Sequence, residues 1–119
     1  MRTARPVLAA AAIAALAAVA APAPATTATT THRVRLGEYF YRPKRLQIAV
    51  GERVRFTNAG RIEHTVADAT AGGAIRAKVI RPRLLGHGKS QTVTFTRRGV
   101  VHYVCTLHPT RMGGTIVVR

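Results

Sequence analysis

Cys105, His108 and Met112 put a thiol, an imidazole and a thioether within eight residues, in the segment Tyr103-Val104-Cys105-Thr106-Leu107-His108-Pro109-Thr110-Arg111-Met112-Gly113. A second imidazole, His64, stands upstream in Glu63-His64-Thr65-Val66. Two imidazoles and a thiolate make a trigonal set, and a methionine sulfur can sit weakly on its axis. Copper takes this combination in electron-transfer sites. Thiolate and thioether are soft donors that suit Cu(I), and imidazole serves Cu(II) as well. A rigid frame around the four would therefore change little when one electron is gained or lost. Zinc would accept a tetrahedral Cys-His-His set but gains little from a thioether. Cys105 is the one cysteine in 119 residues, which excludes an internal disulfide, a Cys-x-x-Cys zinc site and a two-thiolate cluster.

Each of these side chains also has a plainer reading. A free cysteine is among the most buried residue types, and methionine fills irregular core gaps well. Met112 is the only methionine besides the initiator, so its arrival in this loop is a weak coincidence to invoke. Of the other histidines, His32 stands at the start of the fold and His87 between two glycines, where solvation is expected. His102 has the opposite parity to Cys105 and should point away from it. His87 is the reserve candidate should His64 fail.

Elements able to position these groups follow from a period of two. Arg33-Val34-Arg35-Leu36, Leu46-Gln47-Ile48-Ala49-Val50, Arg53-Val54-Arg55-Phe56-Thr57 and Gln91-Thr92-Val93-Thr94-Phe95-Thr96 all alternate. Ile62, His64 and Val66 share one parity, as do Val101, Tyr103 and Cys105, and Gly114-Thr115-Ile116-Val117-Val118 closes the chain. Turn signals stand at Gly51-Glu52, Asn58-Ala59-Gly60 and Arg97-Arg98-Gly99. Short β-branched segments between such turns predict an all-β, antiparallel sandwich, with Arg53 and Arg55 on its solvent face. Ala67 to Gly88 is the least regular stretch. Ala74 to Ile80 reads equally as a short helix or an edge strand, and Pro82 argues against a central strand there.

The N-terminus reads as a secretory signal peptide over residues 1–25. Arg2 and Arg5 form a positive start, Val7 to Val19 is an uncharged run of 13 residues, and Ala18-Val19-Ala20 and Ala23-Pro24-Ala25 both fit a small-x-small cleavage pattern. An uncleaved anchor is the competing reading, which Pro22, Pro24 and the threonines weaken. A flexible leader over 26–32 and one domain over 33–119 follow, with no transmembrane span in the mature form. The protein is thus expected to be periplasmic, extracellular or at the cell surface. Nineteen Lys and Arg against four Asp and Glu give a net charge of +15, or +13 once Arg2 and Arg5 are lost. Such a charge on a small body speeds encounter with acidic partners. Nucleic acid is disfavoured by the export signal, the absence of a recognition motif and the scarcity of aromatics. Anionic membrane or cell-wall polymers are more plausible non-specific contacts.

From Tyr39-Phe40-Tyr41-Arg42-Pro43, through Leu46 to Asn58, to His64-Thr65-Val66 and the closing Cys105-x-x-His108-x-x-x-Met112-Gly113, the chain resembles the cupredoxins. These are small blue-copper proteins of the plastocyanin, pseudoazurin and amicyanin kind. The resemblance covers nearly all of the mature domain. It implies a Greek-key β-sandwich of about eight strands and one type 1 copper ion per chain. It implies His64, Cys105 and His108 as equatorial ligands and Met112 as the axial one. It further implies a monomeric electron carrier, not an enzyme, meeting an acidic cytochrome or redox enzyme transiently. His108 would be the electron exit, and Leu107 and Pro109 a small apolar docking patch. Two departures stand out. Three residues separate His108 from Met112, a spacing that varies within the family. Thr65 follows the first histidine where plastocyanins place Asn, so a link between the two ligand loops would fall to Thr65 or to backbone. Copper sequestration or delivery without electron transfer is the alternative, as is a metal-free basic binding module. Delivery proteins tend to carry several Met or His on flexible segments; only one Met outside the start argues against that role here.

Overall fold

The computed structural model describes residues 29–119 and, of the N-terminal segment, residues 2–4, 6, 11–15 and 17–18. Fourteen of the 25 residues of the expected signal peptide, and residues 26–28 of the expected leader, lie outside the described residues; Thr31 and His32, expected in the leader, belong to the first strand. Among those described, no helix is long and apolar enough to cross a membrane.

Eight strands form two four-stranded sheets: β1 (Thr31–Gly37), β2 (Phe40–Arg42), β3 (Arg45–Ile48), β4 (Arg53–Asn58), β5 (Ala67–Ala69), β6 (Ser90–Thr94), β7 (Gly99–Val104) and β8 (Gly113–Val118). One sheet runs β2-β1-β4-β6 and the other β3-β8-β7-β5. The all-β sandwich is as expected, but it is not antiparallel throughout. β1 lies parallel to β4, and β3 parallel to β8. Alternation within a strand reveals which face is buried; the direction of a distant neighbour leaves no trace in it.

The alternation does set the burial. Val34, Leu36, Val54, Phe56 and Val93 face inward from one sheet, and Ile48, Tyr103, Ile116 and Val118 from the other. Arg53 and Arg55 point to solvent. Tyr103 is the central aromatic, meeting Tyr41 edge-on at 4.7 Å and Phe56 at 5.4 Å between ring centroids. Its register partner across β7 and β8 is Gly114. The Tyr103 ring lies over that glycine, in space that a Cβ there would occupy.

Two sequence expectations are corrected. Residues 62–66 form no strand. Ile62 is exposed while His64, Thr65 and Val66 are all buried, so the shared parity of 62, 64 and 66 does not describe one face. Residues 74–80 form neither helix nor edge strand. They wrap around buried Asp68, whose Oδ1 accepts the Val79 and Ile80 N–H groups at 2.8 and 2.7 Å. The Asp68 carbonyl takes those of Arg76 and Ala77. One side chain here does the work of a ladder.

Away from the loops that carry His64 and Cys105, Glu52 closes a small clasp. Its Oε1 accepts the Ala49 N–H at 2.6 Å and lies 3.1 Å from His32 Nε2. The Ala49 N–H, and next His32, hold its carboxyl below the ordinary value of 4.5.

Two predictions follow from this packing. Gly114→Ala should destabilise the fold by about 1–3 kcal/mol through overlap with Tyr103. Gly113→Ala, which meets only ordinary contacts, should change stability by less than about 1 kcal/mol. Chemical denaturation of both variants checks this. Because folding lowers the Glu52 pKa, its contribution is complete above the unfolded value of 4.5 and is lost as pH falls through the folded one. Glu52→Gln should therefore flatten the acid limb of the stability-against-pH curve. An unchanged limb would show that the clasp contributes nothing.

Candidate metal centre

The loop between β4 and β5 carries His64; the loop between β7 and β8 carries Cys105, His108 and Met112. Asn58, the last residue of β4, shapes the first loop. Its buried amide donates to the carbonyls of Ile62 and Leu85 at 2.8 and 2.7 Å, and its Oδ1 accepts the Gly60 N–H at 2.8 Å. His64 is then fixed by two backbone bonds with Leu85, at 3.1 and 2.9 Å.

The second loop is closed by its own backbone. Cys105 N–H donates to the Met112 carbonyl, His108 N–H to the Cys105 carbonyl, and the N–H groups of Arg111 and Met112 both to the His108 carbonyl, each at 3.1 Å.

Thr65 joins the loops. Its N–H points at Cys105 Sγ at 3.4 Å, and its Oγ1 accepts the Thr106 N–H at 2.8 Å and bonds Thr106 Oγ1 at 2.8 Å. The hydroxyl also lies 3.8 Å from Sγ. The Tyr41 hydroxyl donates to the Thr65 carbonyl at 2.6 Å. The link expected of Thr65 is therefore present through side chain and backbone together.

All four sequence-predicted residues gather at this end. His64 Nδ1 stands 3.9 Å from Cys105 Sγ, and both residues are fully buried. The His108 ring lies 5.7 Å from that of His64, centroid to centroid, and is only half-buried. Met112 is buried in the same apolar cluster as Cys105. Among the described residues no three His, Cys, Asp or Glu side chains stand at metal-holding spacing. The preorganised contact is thus the His64–Cys105 pair, with His108 a ring's width away. Burial keeps the His64 pKa below its ordinary value; Glu38 pulls it up and His108 adds to the lowering. A neutral imidazole facing a thiol, with a second imidazole and a thioether beside them, is a donor set that fits copper in both oxidation states.

The remaining histidines are engaged elsewhere: His32 with Glu52, His87 Nδ1 with the Gly60 carbonyl at 2.8 Å, and His102 Nδ1 with Thr115 Oγ1 at 3.2 Å. Leu107 and Pro109 are exposed as expected. Sequence reasoning missed Tyr39. It takes a left-handed backbone conformation (φ 68°), and its ring meets His108 edge-on at 4.9 Å while carrying the Arg111 guanidinium 3.8 Å above it. It also missed Glu38, whose Oε1 lies 3.7 Å from His64 Nε2. The only signal was an acid in a chain with four of them.

Residues 28–119 match the family model described as copper binding proteins, plastocyanin/azurin family. Among solved structures, the chain is similar to a purple cupredoxin from Nitrosopumilus maritimus, with 26% identity, a TM-score of 0.69, and coverage of 74% of this chain and 99% of that one. It is similar to an amicyanin variant in its reduced state, with 27% identity, a TM-score of 0.63, and coverage of 75% and 82%. It also resembles part of a copper-containing nitrite reductase from Thermus scotoductus, at 28% identity and a TM-score of 0.63, covering 76% of this chain but 22% of that one. No curated protein matches the chain. The match over 28–119, on a sandwich whose loops bring a thiol, two imidazoles and a thioether together, places the chain in the plastocyanin/azurin family of copper-binding proteins.

Proposed function

We propose that the protein is an exported, monomeric electron carrier in which His64, Cys105 and His108 would hold one copper ion, with Met112 as a weaker fourth donor. The observation that carries this reading is the 3.9 Å contact between His64 Nδ1 and Cys105 Sγ, buried and locked from both loops by Thr65. Bound copper would supply one-electron chemistry between Cu(II) and Cu(I).

The chain's own residues do the rest. Cys105 Sγ receives the Thr65 N–H dipole, which suits a sulfur that carries negative charge when it ligates. His64 stays neutral near physiological pH because burial opposes its protonation. The backbone closure from Cys105 to Met112 would limit rearrangement of the donors when bound copper changes oxidation state, and so would lower the cost of transfer. Cys105, His64 and Met112 are shut away from solvent, so a substrate molecule has no route to them, whereas an electron needs none. That favours a carrier over an enzyme.

His108 is the one member of the set that reaches the surface. Around it, Tyr39, Leu107 and Pro109 offer an exposed apolar margin, and Arg61, Arg83 and Arg111 are exposed on the loops of this end. This surface suits brief contact with an acidic redox protein: apolar contact at the exit, charge to steer the approach. Export, to the periplasm or beyond, rests on the signal-like N-terminus.

Loading the purified protein with Cu(II) should give an intense visible thiolate-to-copper absorption, and Cys105→Ser should abolish it. A colourless wild type, or a coloured serine variant, would overturn the assignment. Met112→Leu should keep the colour and raise the reduction potential. With an acidic cytochrome as partner, the second-order rate should fall about tenfold or more as the Debye length shrinks from ~30 to ~8 Å. A salt-independent rate would remove steering from the proposal.

A further inference from the structure

His64 has a second nitrogen that the ligand reading leaves unused. Nε2 is buried and has no hydrogen-bond partner. A neutral imidazole carries one N–H and one lone pair, and the two nitrogens cannot exchange roles without changing what each faces. Nδ1 faces Cys105 Sγ, and Nε2 faces Glu38 Oε1 at 3.7 Å. That distance is longer than a hydrogen bond, yet short enough for the carboxylate charge to distinguish an N–H from a lone pair.

Glu38 is no freely waving surface acid. It sits in the turn between β1 and β2, and its Oε1 accepts the Arg61 N–H at 2.6 Å and the Ile62 N–H at 3.2 Å. Those groups belong to the same loop as His64. Gly60 leaves the space: a Cβ there would overlap the Glu38 carboxylate. Two donors and one glycine thus hold a negative oxygen opposite a buried imidazole nitrogen.

We infer that Glu38 is a positioning residue that selects the His64 tautomer, drawing the proton to Nε2 and leaving the Nδ1 lone pair facing Cys105 for the metal. The opposite tautomer would set the Nε2 lone pair against a carboxylate oxygen and put a proton where a metal would bind. This inference rests on the proposed role of His64 as a ligand, but the tautomer exists in the metal-free chain and is measurable there. Glu38 would also strengthen His64 as a donor, as carboxylates behind metal-bound histidines do.

Glu38→Gln separates this role from a structural one. Its amide oxygen can still accept the Arg61 and Ile62 N–H groups, so the loop is kept while the charge is lost. Nitrogen-15 shifts of His64 in the metal-free full chain, at a pH where the ring is neutral, should report the Nε2–H tautomer in the wild type. They should report at least a tenfold fall in its ratio to Nδ1–H in Glu38→Gln. Gly60→Ala, which displaces the carboxylate and leaves its chemistry intact, should move the ratio the same way. With Cu(II) added, Glu38→Gln should weaken binding by about 10-fold or more and raise the reduction potential. An Nδ1–H tautomer in the wild type, or a ratio unchanged by Glu38→Gln, would overturn the inference even if copper binds normally. Failure of the wild type to bind copper while the tautomer responds to Glu38→Gln would support the Glu38 assignment and overturn the ligand reading instead.

Discussion

Thr65 has every polar atom committed: its N–H to Cys105 Sγ, its carbonyl to the Tyr41 hydroxyl, its Oγ1 to the N–H and hydroxyl of Thr106. The residue is buried, so none of these bonds competes with water, and each broken one would strand a polar group. Through it the loop after β4, the loop after β7 and strand β2 become one body. Without that junction His64 and Cys105 would be two side chains on separate loops of two sheets. With it, their separation is set by the fold.

The rest of the molecule supplies the rigidity that this junction needs. Tyr41 can reach Thr65 because its ring is wedged against Tyr103, and Tyr103 is seated on Gly114 and Phe56. Burial drives the pKa values of both phenols above the ordinary value, which favours the protonated Tyr41 hydroxyl that donates to Thr65. Asn58 plays the matching part on the other side, tying Gly60, Ile62 and Leu85 around His64. The core and the loop bonds are therefore one continuous structure.

Much of this was legible in the amino-acid sequence where the information is local. Alternation located β1, β4, β6, β7 and β8, because which face is buried depends on the residues of the strand itself. The spacing of Cys105, His108 and Met112 put a thiol, an imidazole and a thioether in one segment, which folds as the loop between β7 and β8, and Thr65 after His64 pointed to the link between loops. What escaped was decided by residues far apart in the chain. The parallel pairing of β1 with β4 depends on register between segments that do not adjoin. The course of 70–80 depends on Asp68 reaching across to Val79 and Ile80. His64 lies outside any strand and is placed by Leu85 and Asn58. Glu38 looks unremarkable until the β1–β2 turn is brought over Gly60.

The donor loop keeps its hydrogen bonds to itself. Cys105 answers Met112, His108 answers Cys105, and Arg111 and Met112 answer His108, while from outside Thr65 bonds Cys105 and Thr106 and Tyr39 packs against His108 and Arg111. A segment closed in this way behaves as an insert in a frame. Leu107, Pro109 and Thr110, which make none of these bonds, are the positions where the loop could change with little demand on the sheets. A single sandwich can thus carry many versions of the loop, and the electronic character of the centre can drift independently of the architecture that shelters it.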